Sequence, residues 1–325
     1  MTAIRSLSVL ATAALALTLA ACSTPQEGGS SSSSGTAATE LTEVTLGLTY
    51  VPDIQFAPFY VAAERGYYAE AGLDVTLRHH GANEGLFTAI DQGEEDLVVA
   101  SGDEVLAQRA AGGDLAQIAT LYETSPVALI APADGGIADP ADLTGLTIGV
   151  PGEYGSTYLG LLVLLDEAGL TPADVTIQSI GYTQTTALLT DQVDAVMGFR
   201  NGDAVRIAAA GTEVTMLDPG SLVSVGIAAP DSSDLDAAAQ RAFIDATLRG
   251  VEDVIADPEA AVEIAAEYIP GMTQQAKDDA AAVLEATIPL LGTTGLTDEP
   301  TWAAMADAML KAGMITEIPE GAFRN

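Results

Sequence analysis

From residue 44 onward the hydrophobic positions switch repeatedly between a period of two and a period near 3.6, so the chain reads as strands alternating with helices. Residues 44–49, Val-Thr-Leu-Gly-Leu-Thr, predict a buried strand. Pro58 suits a first helical turn, where its missing N–H costs nothing. Phe59, Ala62, Ala63 and Tyr67 then share one helical face, and Gly66 can close the turn. Further strands are expected at 75–78, 97–100, 115–121, 127–131, 146–150, 175–180 and 195–199. Helices are expected at 83–90, from Ser101 to Gly112-Gly113, from after Thr157 to Ala168 before Gly169, and at 184–189 and 204–210, with a short one capped by Asp139-Pro140. From Asp234 the pattern is helical, broken at Pro258, Pro270, Pro289 and Pro300. This order predicts an α/β fold on mostly parallel sheets.

The pattern also repeats itself. Val98-Val-Ala-Ser-Gly-Asp-Glu-Val105, running on to Gly112, is echoed by Val196-Met-Gly-Phe-Arg-Asn-Gly-Asp-Ala-Val205, running on to Gly211. Each copy is an apolar strand, a polar turn with Gly-Asp, and a helix ended by glycine, as two lobes of similar topology would give. Four strand-to-helix loops stand out: 50–59, 101–104, 152–156 and 199–203. In open α/β sheets ligands lie beyond the carboxyl ends of strands, where helix N-termini aim their amides. The first loop gathers Tyr50, Asp53, Gln55, Phe56 and Phe59; the third, Gly152-Glu-Tyr-Gly-Ser156, is open enough for close backbone approach.

Charge narrows the partners. Asp and Glu number 46 against 11 Lys and Arg, a net charge of −35, and such a field repels nucleic acid and anionic lipid. The acid is spread over helix faces as a solvated surface, and no Asp-x-Asp-x-Asp-Gly calcium loop is present. The His79-His80 pair is too small for a zinc site and is expected at a strand end in solvent. The amino end is a targeting segment: Arg5, an apolar run over 7–19, then Ala20-Ala21-Cys22. Residues 23–42, rich in Gly, Ser, Thr and Ala, are expected to form a flexible tether.

Catalytic motifs are scarce. The only cysteine is Cys22, so no later thiol or intrachain disulfide is available, and no Gly-x-Ser-x-Gly elbow occurs. The loop at 152–156 lacks the Gly-Lys-Ser/Thr ending of a phosphate loop, and the dinucleotide fingerprint is also missing. Asp103, Glu104 and Glu153 could form an acid/base set, but carboxylates at helix starts commonly act as caps.

Two resemblances follow from these residues. Leu19-Ala-Ala-Cys22 resembles a bacterial lipobox, which implies a leader over 1–21 and acylation of Cys22, anchoring the mature chain on the outer face of the cytoplasmic membrane. Gln55-Phe-Ala-Pro-Phe-Tyr-Val-Ala62 with Gly66-Tyr-Tyr-Ala-Glu-Ala-Gly-Leu-Asp-Val75, Ala100-Ser-Gly-Asp103 and Asp142-Leu-Thr-Gly-Leu-Thr-Ile-Gly-Val150 resemble the NMT1/THI5-like substrate-binding proteins of ABC importers, from about residue 44 to 253. That likeness implies a type II periplasmic-binding fold: two doubly wound lobes, a central cleft and a helical C-terminal segment. The expected division is 43–128 with 228–325 against 129–227, with crossings near 127–131 and 223–229.

The resemblance further implies a monomer that captures a small planar heterocycle, a thiamine pyrimidine precursor or a riboflavin-like ring, and delivers it to a membrane permease, without cofactor or metal. Implied ring-stacking residues are Tyr50, Phe56, Tyr122, Tyr154 and Phe199. Implied edge partners are Asp53, Gln55, Asp103, Glu153, Ser156, Arg200 and Asn201, with Ser101, Glu104 and Gly155 in the same loops. Aliphatic sulfonates are the alternative ligand class. The group also includes pyrimidine synthases that consume their own histidine; the export signal and the lack of a histidine in the cleft loops argue against that activity here. An acidic surface or adhesion protein would need no cleft.

Overall fold

The computed structural model describes residues 41–81, 84–220 and 222–325. The leader, Cys22 and nearly all of the tether lie outside the described residues. Two five-stranded mixed sheets, each with helices packed on it, form the frame of a periplasmic-binding-protein fold.

The first sheet uses β1 (Thr42–Leu48), β2 (Leu73–His79), β3 (Leu97–Ser101), β4 (Leu115–Thr120) and β10 (Val225–Pro230) in the order β2-β1-β3-β10-β4. The second uses β5 (Val127–Pro132), β6 (Thr147–Val150), β7 (Thr176–Ser179), β8 (Ala195–Phe199) and β9 (Val214–Leu217) in the order β7-β6-β8-β5-β9. In each, four of the five strands run in one direction and the other, β10 or β5, runs antiparallel to both its neighbours. The two orders are the same once the lobes are superposed in thought, and the repeated sequence supplies the central strand of each, β3 and β8. Each of these leads into a helix, α4 (Gly102–Ala110) and α7 (Asp203–Ala209), and Gly112 and Gly211 follow at φ 97° and 96°, which side chains rarely adopt.

The chain passes from first to second sheet between Thr120 and Val127, and returns between Leu217 and Val225. The stretches expected as crossings are therefore the antiparallel strands β5 and β10, and the expected lobe boundaries fall inside them. Continuous apolar runs such as Val127-Ala-Leu-Ile-Ala131 suit a strand buried on both faces as well as a linker, so the pattern alone does not separate the two.

The remaining helices are α1 (Ala57–Glu64), α2 (Tyr67–Glu70), α3 (Thr88–Asp91), α5 (Gly155–Glu167), α6 (Gln184–Leu189), α8 (Ala237–Ala256), α9 (Pro258–Tyr268), α10 (Gln274–Thr287) and α11 (Glu299–Lys311). Pro58, Pro258 and Pro300 sit in first turns and start helices rather than interrupt them. The helix expected over 83–90 is the four-residue α3, and Asp139-Pro140 opens a 3-10 turn, Pro140–Leu143. α8 lies across α1 so closely that an ideal Cβ on Gly250 would stand 2.2 Å from the Pro58 carbonyl oxygen. The C-terminal helices tie the halves together: α10 packs on the Ile54–Phe56 turn and on α7, and α11 on α4 and α5.

His80 departs from its expected place in solvent. It is 4% exposed, and its Nε2 lies 2.9 Å from Oε1 of the equally buried Glu95, which also accepts from Arg78 at 2.7 Å. A short partner-bearing strand end can bury a histidine when a carboxylate comes from the next strand approach, and no local pattern reports that.

Candidate functional site

Five strand-to-helix loops, three from the second sheet and two from the first, open onto one cavity of about 330 Å³ between the sheets. That volume is within the range of small-molecule sites.

The β1–α1 loop supplies Tyr50, Asp53, Gln55, Phe56 and Phe59. Asp53 caps the 3-10 turn Ile54–Phe56, accepting from the Gln55 N–H at 3.1 Å, and this turn swings Phe56 inward, where it is 4% exposed. Behind it the His79 ring meets Phe56 edge-on at 5.5 Å, and His79 Nε2 and Nδ1 lie 3.0 and 3.2 Å from the Tyr60 hydroxyl and the Tyr50 carbonyl. Burial lowers the His79 pKa, so the ring buttresses the loop as a neutral group.

The β3–α4 loop brings Ser101 and Glu104 to the cavity. They form a capping box in which Glu104 accepts from the Ser101 N–H at 2.9 Å. Asp103 lies beneath the wall rather than on it, 1% exposed, and accepts from the Ser156 hydroxyl of the opposite lobe at 2.5 Å. Burial, reinforced by the Asp103 charge, pushes the Glu104 carboxyl up, and burial pushes Asp103 up against its hydrogen bonds. Two adjacent carboxyls in a poorly solvated corner hold a proton more readily than either would alone.

From the second sheet, the β6–α5 loop places Tyr154, Gly155 and Ser156 on the wall. Gly155 takes φ 69° where α5 begins. The turn after β8 places Phe199 and Asn201 there, with Asp203 accepting from the Phe199 N–H at 2.8 Å. Asn201 Nδ2 donates to Thr287 Oγ1 at 2.8 Å, and Tyr122, from the first crossing segment, forms the floor at 4% exposure.

Twelve of the fifteen expected residues thus line one cavity, and Asp103, Glu153 and Arg200 do not. Glu153 is exposed and outside the lining. Arg200 turns away to Asp218 at 2.7 Å and the Val127 carbonyl at 3.3 Å, bracing the crossing segments. Residues the loop argument passed over include Tyr182 and Gln184, in the β7–α6 loop, and Arg206, one turn into α7. Gly181-Tyr-Thr183 satisfies the same strand-end rule as the other loops, so the signal was present in the sequence; Arg206 carried none beyond sharing a helix face with Asp203.

Both lobes meet around the rim. Tyr50 and Tyr182 approach edge-on at 5.8 Å, and Arg206 reaches Asp53 at 3.4 Å. Tyr154 and Tyr182 remain 60% and 64% exposed, giving the mouth two aromatic faces. Burial and the nearby Tyr154 push the Tyr182 hydroxyl up to about 12. Among the described residues no helix is long and apolar enough to cross a membrane, and no group of three or more His, Cys, Asp or Glu side chains could hold a metal ion.

The NMT1/THI5 like family model matches residues 53–261, a span that contains four of the five cavity loops whole and most of the fifth. The chain belongs to the NMT1/THI5-like family. Among its relatives is the riboflavin-binding protein RibY of Chloroflexus aurantiacus, 33% identical over 318 residues, covering 92% of this chain and 91% of that protein. A 4-amino-5-hydroxymethyl-2-methylpyrimidine phosphate synthase of Legionella pneumophila is 26% identical over 235 residues, covering 70% and 74%. Of solved structures, the alkanesulfonate-binding protein SsuA of Xanthomonas axonopodis, bound to MOPS, superposes with a TM-score of 0.69 at 17% identity, over 88% of this chain and 99% of that one. At that identity the likeness is one of fold.

Proposed function

We propose that this protein is the extracytoplasmic substrate-binding lipoprotein of an ABC importer, a monomer that encloses a flat, uncharged heterocycle of the flavin kind between its lobes and hands it to a permease. The carrying observation is the convergence of aromatic side chains from both sheets on one cavity: Tyr50, Phe56 and Tyr122 on one side, Tyr154, Tyr182 and Phe199 on the other. Rings held between aromatic faces with polar groups at the edge are the recognition mode such walls favour. The extensive likeness to a riboflavin-binding protein supports the ligand class. Closure is a hinge motion about residues 121–126 and 218–224, biased by ligand contacts made from both lobes.

Charge weighs against a sulfonate. Asp203 and the Asp53–Arg206 pair line the cavity, and Glu104, whose carboxyl burial pushes up, adds a largely neutral acid, so the one guanidinium among the lining residues is already engaged. The lining also holds no histidine, cysteine or lysine among the described residues, which favours a receptor over a synthase. Titration of the chain from residue 23 onward with riboflavin, an aminopyrimidine and taurine tests the reading. Quenching of flavin fluorescence at one-to-one stoichiometry with a raised Tm is expected; a response to taurine alone would overturn it. For the anchor, Cys22→Ser should move the protein from the membrane fraction to the soluble extracytoplasmic fraction.

A further inference from the structure

Helix N-termini gather unpaired backbone N–H groups and are the usual places for an anionic ligand group. Around this cavity backbone N–H groups at two helix starts and at one strand end are occupied by the chain's own carboxylates. Asp53 accepts from the Gln55 N–H at 3.1 Å, Glu104 from the Ser101 N–H at 2.9 Å, and Asp203 from the Phe199 N–H at 2.8 Å. All three residues also line the cavity. The guanidinium of Arg206 is engaged by Asp53.

A fourth acceptor lies buried in the cavity wall, on Asn201. Thr287 donates its hydroxyl proton to the Val283 carbonyl at 2.7 Å, so Thr287 Oγ1 can only accept from Asn201. That fixes the amide nitrogen toward Thr287 and leaves Oδ1 as the free end. The side chain is 3% exposed, and Oδ1 accepts no hydrogen bond from the described residues. A buried acceptor without a donor is costly, and a ligand N–H admitted by a small movement of the wall would remove that cost.

From this excess of acceptors we infer that the cavity selects an uncharged ring that donates hydrogen bonds and rejects the phosphate ester of the same compound. The inference rests on the heterocycle reading above and adds to it a discrimination between a free nutrient and its phosphorylated form. A phosphate brings two negative charges and almost only acceptors to walls that already present acceptors and the Asp203 carboxylate, with their one guanidinium held by Asp53. The reaction that would make such an ester into a ligand is therefore a phosphatase step outside the membrane, upstream of capture.

Isothermal titration of the chain from residue 23 with riboflavin and with riboflavin 5′-phosphate, at neutral pH and physiological salt, reads the discrimination directly. The ester is expected to bind on the order of a hundredfold more weakly. Asp203→Asn and Asp53→Asn keep an acceptor for the Phe199 and Gln55 amides, and the second also releases Arg206. Each should narrow the ratio by roughly tenfold, with thermal melts confirming the fold. Equal binding of parent and ester by the wild-type protein overturns the inference and leaves the flavin reading standing. A ratio unchanged in both folded variants also overturns it, because the named carboxylates would not be its source. If neither form binds, the flavin reading itself falls.

Discussion

Replacing Glu104 with Gln separates the electrostatic cost of this site from its shape. The carboxyl is buried beside Asp103, and both effects raise its pKa, burial most. A raised pKa means the folded protein keeps a proton that the unfolded chain has released. The corresponding stability is complete below the ordinary carboxyl range and is lost as pH rises toward the folded value. One pKa unit corresponds to about 1.4 kcal/mol. Sharing of the proton with Asp103, and the part of Glu104 that stays open to the cavity, keep the loss at roughly 1–3 kcal/mol at pH 8. Glutamine carries no charge and still offers an oxygen to the Ser101 N–H, so the capping box loses its charge and not its hydrogen bond. Thermal melts should therefore coincide for wild type and Glu104→Gln at pH 5, and diverge with rising pH until the variant melts about 2–8 °C higher at pH 8. A variant that melts lower than wild type by the same amount at both pH values would refute the reasoning, since Glu104 would then act only through packing and hydrogen bonding.

Phe56→Ala removes a wall ring held in place by the Ile54–Phe56 turn and should weaken ligand binding by roughly tenfold to a hundredfold in a fluorescence titration, beyond any change in Tm. Gly250→Val forces a side chain into the 2.2 Å approach to the Pro58 carbonyl and should cost about 2–3 kcal/mol or more in chemical denaturation, with ligand stoichiometry unchanged in the folded fraction. Arg206→Ala breaks a half-exposed ion pair and should change global stability by less than about 1 kcal/mol. Its effect should appear instead as a larger radius of gyration in small-angle scattering of the ligand-free protein, because the pair spans the two lobes.

Much of the frame was readable from local rules. Pro58 and Gly66 bracket the first helix because each answers a backbone requirement that neighbours cannot override: a donor-free first turn and a φ of 74°. The Gly-Asp repeat located the two central strands, since a strand, a tight turn and a glycine-ended helix carry their signature within a short span. β9 escaped because it is a four-residue edge strand with Met216 45% exposed, too short and too open to show an alternation. The turning away of Arg200 depends on Asp218, and the burial of Asp103 on Ser156. Both partners come from distant parts of the chain and leave no trace in local spacing.

Strand β4 has a single hydrogen-bonded neighbour in its sheet, β10, which the ribosome delivers only after the whole of the second lobe. The second lobe is one continuous length of chain, whereas the first must wait for its last strand to come back through the return crossing. Assembly of the sheets therefore runs against the order of synthesis: the sheet made in the middle can pair all its strands by itself, although its core still waits for α11, and the sheet made first is completed late. That order keeps the first half open, with β4 unmated, until about 70% of the chain has been made.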